Sequence, residues 1–322
     1  MKTKIITGEN YAEDMKKVLA EIGAVRKSGT FERKTGEYVY YELYKAEKAK
    51  GWITISHGFT ESTLKYAEVI YYLLREGYSV AIIDHRGHGK SFRQVKNIHL
   101  VNVDHFKDYC YDVCFFILNV VMPASDGLPL YLFGHSMGGA VAAHVAERFP
   151  GLPLKKVILC SPMICPEMNG VPPFMALMMA VFNCLKGKGR RGMADEINFD
   201  PAGDFGQPSC CSTSKYRYDW YLNEQIKNPM YQTCAPSYNW LREALLQTYY
   251  VLGHTGRIRI PVLLFQGGLD HMVSNAYEDK FIAKVKNGKK LLFPEANHEI
   301  FRCQDEEVEL FINSIVSFIE GK

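Results

Sequence analysis

The segment GHSMG at residues 134–138 places a serine in the pattern G-x-S-x-G. An apolar stretch precedes this segment and the small-residue stretch AVAAHVAERF follows it, which predicts a sharp turn from a strand into a helix. Such a turn exposes the serine hydroxyl, and it needs glycine where the helix passes close to the strand. The helix N-terminus also favours negative charge beside the serine. Ser136 is therefore the predicted nucleophile, and a serine in a tight turn without chemistry is the alternative.

Two further residues complete the set that a serine nucleophile needs. A serine hydroxyl is a weak nucleophile until a base takes its proton. Where the serine stands in such a strand-to-helix turn, an acid and then a histidine follow it along the chain. The segment PVLLFQGGLDHMV supplies Asp270 at the predicted end of a late strand, and LLFPEANHEIF supplies His298 past the last strand. We expect His298 to accept the Ser136 proton, and Asp270 to orient and stabilise the imidazolium.

Other titratable residues near these motifs have simpler structural interpretations. His271 adjoins the predicted acid and is expected to be a loop residue. Glu295 and Glu299 flank His298 but fall on the wrong side of the predicted strand end, and His135 is expected to pack beneath the serine turn. A catalytic role for any of them is the less favoured alternative.

The oxyanion of a tetrahedral intermediate needs two preorganised hydrogen-bond donors. One is expected to be the backbone N–H of Met137, which follows the nucleophile. The other should come from the loop after the early strand in WITISHGFTES, where the N–H of Phe59 is the predicted donor. His57, two residues earlier, is expected to hold this loop and not to take part in the chemistry.

A charged turn in the segment IIDHRGHGKS follows another predicted strand. We expect Asp84 and Arg86 to form a buried ion pair that supports this turn close to the serine. A catalytic role for Asp84 is the alternative.

Short apolar strands alternate with helical periods along most of the chain. This alternation predicts a mostly parallel sheet that is covered by helices on both faces. The predicted strands, after an opening hairpin at 29–34 and 38–45, lie at residues 52–56, 80–84, 130–133, 156–160, 262–266 and 290–293. The predicted helices lie at residues 11–22, 64–75, 103–120, 137–148, 276–284 and 306–319.

The interval 162–259 breaks this alternation, because it contains no clear strand of the same kind. It holds helix-like stretches, loops with glycine and proline, and two of the three tryptophans, Trp220 and Trp240. The sequence therefore predicts a core formed by residues 1–161 and 260–322, with a mainly helical cap at residues 162–259 inserted before the last strands.

The composition fits a globular protein with a sizeable core. The chain has 322 residues, of which 47% are hydrophobic and 23% charged, and its net charge of +3 does not indicate a nucleic-acid partner. The nine cysteines show no zinc pattern, and the N-terminal residues have no apolar signal segment, so reduced thiols in a cytoplasmic protein are expected. No window approaches the roughly 18 to 20 apolar residues of a membrane-spanning helix.

Taken together, HGFTES, DHRGHGKS, GHSMGG, QGGLDHMV and ANHEIF resemble motifs of the α/β-hydrolase superfamily. They resemble most closely its branch of bacterial lysophospholipases and monoacylglycerol lipases, as do SKYRYDWYLNEQ and PSYNWLREAL in the cap. The resemblance extends from about residue 29 to the C-terminus, and it implies an α/β-hydrolase fold. A serine at position 136 argues against epoxide hydrolases and dehalogenases, which use an aspartate there.

The resemblance also assigns roles to residues of this chain. It implies a triad of Ser136, Asp270 and His298, with Phe59 and Met137 as oxyanion donors. It implies no cofactor and no metal, because acyl transfer to water needs neither.

The cap opens on the stretch PPFMALMMAVFNCLKGKGRRG, which is apolar and then basic. Phe174, Met178 and Trp240 are the predicted substrate-binding residues, because a Met-rich apolar surface suits an acyl chain. The alternative is that they form the core of the cap itself. The basic residues favour contact with an anionic membrane surface; they are Lys186, Lys188, Arg190 and Arg191. The sequence leaves open which way the apolar face points.

The sequence thus predicts a serine carboxyl-ester hydrolase that forms an acyl-enzyme from single-acyl-chain lipids, either lysophospholipids or monoacylglycerols. An esterase or carbon–carbon bond hydrolase acting on small non-lipid substrates is one alternative. A catalytically silent α/β-hydrolase scaffold is another. The expected location is the cytoplasm, with peripheral association at the inner face of the membrane as a further hypothesis.

Overall fold

An eight-stranded sheet forms the centre of the computed structural model, which describes residues 4–207 and 209–322. Its strands are β1 (Arg26–Glu32), β2 (Tyr38–Tyr44), β3 (Gly51–Ser56), β4 (Tyr78–Ile83), β6 (Leu130–His135), β7 (Leu154–Cys160), β9 (Val262–Gly267) and β10 (Gly288–Phe293). Two short strands pair separately, and they are β5 (Leu100–Val101) and β8 (Ala235–Pro236).

The helices occupy the segments between these strands and both ends of the described chain. They are α1 (Tyr11–Ala24), α2 (Ala67–Arg75), α3 (Lys107–Phe116), α4 (Met122–Ala124), α5 (Met137–Arg148), α6 (Pro173–Asn183), α7 (Lys215–Lys227), α8 (Tyr238–His254), α9 (Asn275–Ile282) and α10 (Asp305–Glu320). No helix within the described ranges is both long enough and apolar enough to cross a membrane.

The strand order in the large sheet is β1-β2-β4-β3-β6-β7-β9-β10. The β1–β2 and β2–β4 pairs are antiparallel, and all other neighbours are parallel. Strands β3, β4, β6 and β9 are buried along their whole length, because one apolar cluster packs on each face of the sheet. The predicted α/β-hydrolase architecture is therefore confirmed.

This topology determines where chemistry can occur. In an open parallel sheet, ligands bind at the carboxyl ends of the strands. The predicted oxyanion loop follows β3, Ser136 follows β6, and Asp270 follows β9, so all three lie at the same edge of the sheet. His298 follows β10 and reaches this edge from the last strand.

The structure departs from the predicted elements in two places. The helix predicted at residues 103–120 begins at Lys107 and passes through a π-helical turn at Ile117–Val121 before α4. The β5–β8 pair, which joins Leu100 to Ala235, was not predicted. Two residues are too few to produce a period-2 pattern, so the sequence carries no signal for this pair.

The segment between β7 and β9, residues 162–259, is called the cap segment below. Helix α6 packs on α8 through two alanines, Ala176 and Ala180, which contact Leu241 and Leu245. Helix α7 is attached to the core by the buried Arg217, whose guanidinium bonds Glu68 on α2 at 3.0 Å. The predicted limits of the cap at residues 162 and 259 stay a prediction.

Glycines allow α5 to lie almost in contact with the sheet. A Cβ at Gly138 would lie 2.0 Å from the carbonyl oxygen of Ser56, and one at Gly134 would lie 2.4 Å from that of Gly138. No side chain, not even a methyl group, fits at these positions without moving backbone. The local fold of the G-x-S-x-G segment therefore requires glycine on both sides of the serine.

We expect Gly138→Ala to destabilise the protein by about 3 kcal/mol or more, at or above the usual range for overpacking. The reason is that the new methyl group would overlap backbone that cannot move independently. Urea unfolding followed by circular dichroism would measure the loss. The matched control is Gly151→Ala, where no atom of the described chain beyond the adjacent residues lies within 4 Å of the added Cβ. Equal unfolding midpoints for wild type and Gly138→Ala would contradict this account.

Candidate active site

Ser136 lies between β6 and α5 with φ 51° and ψ −120°. A positive φ is unfavourable for a serine, so surrounding contacts must hold it. Its N–H donates to the carbonyl of Cys160 at 3.0 Å, and its carbonyl accepts from Met163 at 2.8 Å and Gly139 at 2.9 Å. The residue is 8% exposed. These bonds fix the strained turn that the G-x-S-x-G pattern predicted.

Asp270 and His298 form a hydrogen-bonded pair at the same edge of the sheet. His298 Nδ1 lies 2.7 Å from Asp270 Oδ2. The other carboxylate oxygen accepts the N–H groups of Met272 at 2.8 Å and Val273 at 3.1 Å. Because Nδ1 donates to the carboxylate, Nε2 is the nitrogen of a neutral His298 that can accept a proton.

His135 joins the histidine loop to the serine turn. Its Nε2 lies 3.2 Å from the backbone carbonyl of His298. The two imidazole rings have centroids 4.8 Å apart. Since Ser136 directly follows His135, this contact places the histidine loop beside the serine turn.

The pair has the charge distribution that a general base requires. Burial works against protonation of His298, but the neighbouring Asp270 carboxylate outweighs it and raises the pKa of His298 above its ordinary value. Burial would raise the pKa of Asp270, but the imidazole and the two backbone donors hold it below its ordinary value. Asp270 is therefore ionised at neutral pH and stabilises a proton on His298.

The predicted oxyanion donors lie on two rigid backbone segments. Met137 is the first residue of α5, so its N–H has no acceptor within the helix. Before Phe59, His57 Nδ1 bonds the carbonyl of Gly58 at 2.7 Å, while its Nε2 accepts the N–H of His85 at 2.8 Å. Burial lowers the pKa of His57 to about 4, so the ring is neutral and holds the loop as expected.

Comparison with known protein families identifies the family to which this chain belongs. The family model described as serine aminopeptidase S33 matches residues 47–305. The chain belongs to this family of α/β-hydrolases. It is accordingly a serine hydrolase of carboxylic esters, in the lysophospholipase and monoacylglycerol lipase branch that its motifs resembled.

Two curated relatives show the branch. Lysophospholipase L2 of Escherichia coli (strain K12) is 31% identical over 287 residues, which cover 87% of this chain and 83% of the relative. Human monoglyceride lipase is 30% identical over 149 residues, which cover 46% of this chain and 47% of the relative.

Solved structures with lower identity support the fold alone. A thermostable carboxyl esterase from Bacillus coagulans superposes with a TM-score of 0.73 at 20% identity, covering 92% of this hydrolase and 98% of the esterase. Monoglyceride lipase from Saccharomyces cerevisiae, a soluble variant with a substrate analog, superposes with a TM-score of 0.69 at 19% identity, covering 92% and 96%.

The predicted Asp84–Arg86 pair in this hydrolase was wrong. Asp84 accepts the backbone N–H groups of Thr63 at 2.7 Å and Lys90 at 2.8 Å. Arg86 instead forms two bonds to Asp112, at 2.8 and 2.9 Å. The true partner of Arg86 lies 26 positions further along the chain on α3, so short-range spacing could not reveal it.

The residues considered as alternative catalytic groups lie in loops or in buried contacts. His271 is half-buried in the loop after β9, and Glu295 is exposed. His135 lies beneath the serine turn as expected, with Nδ1 3.2 Å from a carboxylate oxygen of Glu61. Glu299 is buried and bonds a lysine and an arginine, Lys65 and Arg302.

Sequence reasoning missed this buried charged group. Glu61 stands within the quoted motif HGFTES, which was the available signal. Lys65 and Arg302 stand among apolar and aromatic neighbours, which is unusual for charged residues that face solvent.

The three predicted substrate-binding residues occupy different environments. Trp240 is 5% exposed, and its ring centroid lies 4.1 Å from that of Phe59 in the oxyanion loop. Phe174 and Met178 are 63% and 52% exposed on the outer face of α6. The apolar run of the cap therefore points largely to solvent, and its role in acyl binding stays a prediction.

We expect the acid limb of the pH profile of kcat/KM to report protonation of His298. Because Asp270 raises the pKa of this histidine, Asp270→Asn should move the midpoint of the limb to lower pH. The same change should lower kcat by about 10⁴-fold, as in other serine–histidine–aspartate enzymes. Initial rates on a soluble butyryl ester between pH 4 and 9 would measure both effects.

A control for this experiment is Asp126→Asn, which removes an exposed ion pair with Lys45. This variant should keep the profile of the wild type. A midpoint for Asp270→Asn that coincides with the wild-type midpoint would argue against His298 as the base.

Proposed function

We propose that this enzyme hydrolyses lipids with one acyl chain, lysophospholipids or monoacylglycerols, with Ser136, His298 and Asp270 as its catalytic triad. The observation that carries the proposal is the 2.7 Å bond between His298 and Asp270 beside the strained serine turn. The names of its relatives, lysophospholipase L2 and monoglyceride lipase, support the class of substrate.

In this mechanism Ser136 Oγ attacks the ester carbonyl while His298 Nε2 accepts its proton. The N–H groups of Met137 and Phe59 stabilise the oxyanion. His298 then gives the proton to the departing alcohol, which leaves an acyl-enzyme on Ser136. Water activated by the same histidine releases the fatty acid and regenerates the serine.

A cavity of about 360 Å³ supports a substrate with a polar group attached to the ester. Its wall includes Thr60, next to Phe59, and Glu299, next to His298. On the cap side it includes Tyr218 and Tyr221. A cavity of this size can hold a glycerol or glycerophosphate head group between the oxyanion loop and α7.

We expect Ser136→Ala to lower kcat/KM by at least about 10⁴-fold on every ester hydrolysed, because only Oγ can form the acyl-enzyme. Labelling by a fluorophosphonate probe should disappear as well. The assay is a panel of monoacylglycerols, lysophospholipids and short esters. Ser161→Ala is the matched control, since this buried serine directly follows β7 and its Oγ has no hydrogen-bond partner among the described residues.

Two outcomes would contradict the proposal. Ester hydrolysis by Ser136→Ala at the wild-type rate would contradict the assignment of Ser136 as the nucleophile of the triad. A preference for acetyl esters, with no gain in kcat/KM for acyl chains longer than butyryl, would contradict a lipid substrate and favour the small-ester alternative. For a lipid chain, each buried CH₂ should add about 0.8 kcal/mol to binding.

The outer face of α6 supplies a surface for lipid. Large apolar side chains stand exposed along it and in the following turn, and Leu185 is the most exposed at 82%. The others are Phe174, Met175, Met178, Met179 and Phe182. Contiguous apolar surface of this kind marks an interaction site. Basic residues border it, so we include in the proposal that this face contacts an anionic lipid surface.

The basic residues contribute unequally to this contact. Lys186 lies over the ring of Phe182, with Nζ 4.1 Å from the ring centroid. Lys188 and Arg191 are exposed. Arg190 already bonds Asp104 at 2.6 Å, so its charge is partly compensated within the protein.

Replacing Lys186, Lys188, Arg190 and Arg191 by Gln should weaken binding to anionic vesicles. Each surface cation contributes about 1 kcal/mol near such a membrane, so three uncompensated charges predict a loss on the order of 100-fold at low salt. Turnover of a soluble ester should not change. Sedimentation with phosphatidylserine-containing vesicles would measure the affinity.

The control removes four exposed lysines elsewhere, Lys27, Lys155, Lys286 and Lys289. It changes the net charge by the same amount and should retain vesicle binding. Equal losses in both variants would indicate a non-specific charge effect and contradict the α6 surface.

A further inference from the structure

Four charged side chains lie buried beneath the oxyanion loop, and they alternate in sign. We call them the Glu61 chain, and they are Glu61, Lys65, Glu299 and Arg302. Lys65 Nζ lies 3.0 Å from Glu61 Oε1 and also bonds Glu299, which in turn bonds Arg302. Each buried charge therefore has a partner of opposite sign, as burial requires.

The carboxylate of Glu61 is the centre of this chain. Its Oε2 accepts the backbone N–H of Gly58 at 2.6 Å and the hydroxyl of Tyr66 at 2.6 Å. Gly58 directly precedes Phe59, the proposed oxyanion donor. Burial would raise the pKa of Glu61, but Lys65 and His135 hold it well below its ordinary value. An ionised carboxylate thus anchors the oxyanion loop.

His135 connects the same carboxylate to the histidine loop. Its Nδ1 lies 3.2 Å from Glu61 Oε1, and its Nε2 lies 3.2 Å from the carbonyl of His298. Both partners are hydrogen-bond acceptors, so the ring of His135 is held between them with one nitrogen facing each. Glu61 therefore helps to fix the orientation of the ring that also contacts the His298 loop.

The other end of the chain reaches His298 from its C-terminal side. Glu299 follows His298 directly, and its N–H donates to the carbonyl of Cys211 in the cap segment at 3.0 Å. Arg302 donates to the carbonyl of Arg217 on α7 at 3.0 Å. The Glu61 chain thus joins the oxyanion loop, the serine turn, the histidine loop and the cap.

We propose that Glu61 is a positioning residue for ester hydrolysis, because its one carboxylate sets the oxyanion donor, the serine turn and the His298 loop relative to each other. It touches none of the reacting atoms. The inference rests on the proposed function. Its specific content is that the charge of Glu61, not merely its volume, is needed for the chemical step.

Glu61→Gln is the decisive substitution. It keeps the shape of the side chain, but its amide NH₂ must face at least one of the donors that now surround the carboxylate: Gly58 N–H, Tyr66 OH, His135 Nδ1 and Lys65 Nζ. Displacing catalytic groups by up to about 1 Å costs on the order of 100-fold in rate. We therefore expect kcat to fall about 100-fold, with KM within about threefold of the wild-type value on a soluble ester.

The rate of fluorophosphonate labelling should fall in the same proportion, because labelling uses the same nucleophile and oxyanion donors. Glu147→Gln is the matched control. Glu147 is buried on α5, and its carboxyl group has no hydrogen-bond partner in the described part of the chain. Burial raises its pKa to about 9, so glutamine replaces an uncharged carboxyl group. This control should keep kcat within twofold.

The result that overturns the inference is a folded Glu61→Gln enzyme with wild-type kcat and labelling rate, even if its melting temperature is lower. If Glu61→Gln does not fold, Lys65→Arg and Lys65→Met decide. Arginine keeps the bridge between Glu61 and Glu299 and should retain activity, whereas methionine should lower kcat about tenfold. Equal kcat in these two variants would overturn the inference.

Failure of the proposed function is distinguishable from failure of this inference. Wild-type enzyme that hydrolyses no ester would overturn the proposed function. Active wild type and inactive Ser136→Ala, together with unaffected Glu61→Gln, would overturn only the positioning role.

Discussion

The strained backbone at Ser136 is the constraint on which the site depends. A serine with φ 51° costs about 1 to 3 kcal/mol, and this conformation persists because the surrounding structure fixes it. Backbone bonds to Cys160 and Met163 hold the turn, and glycines at 134 and 138 let α5 approach β3 and β6 closely. The parallel sheet supplies this rigidity, since β6 is buried along its whole length. A looser scaffold would let the serine relax and would withdraw its hydroxyl from the edge where His298 lies.

The sequence predicted the parts of this structure that have local signals. The G-x-S-x-G segment needs glycines a few positions apart. The predicted acid and histidine each follow an apolar strand, so their order along the chain is enough to select them as candidates. Contacts between distant segments have no such signal. Lys65 and Glu299 lie 234 positions apart, and Arg86 pairs with an aspartate on a helix that begins after an irregular segment. Charged residues can be recognised as buried from apolar neighbours, but their partners follow only from the fold.

The apolar run of α6 shows a different limit of sequence reasoning. When a helix is apolar on all sides, its faces do not differ in hydrophobicity, so the sequence pattern does not reveal which face is buried. The small residues Ala176 and Ala180, four positions apart, were the informative pair, because they allow close packing on α8. The large residues around them remain exposed. Size, and not hydrophobicity, therefore determines which side of this helix faces the protein.

The attachment of the cap is uneven, and this affects how the enzyme can admit a bulky molecule. Swinging the whole cap outward would break the buried Arg217–Glu68 pair and the β5–β8 ladder together. Moving α6 alone would leave both intact, and it would displace the alanine contacts with α8 and the backbone bonds that Gly189 and Arg191 make with the start of α8. A movement confined to α6 would thus break fewer buried contacts than a movement of the whole cap segment, and it would shift the exposed apolar face of this helix at the same time.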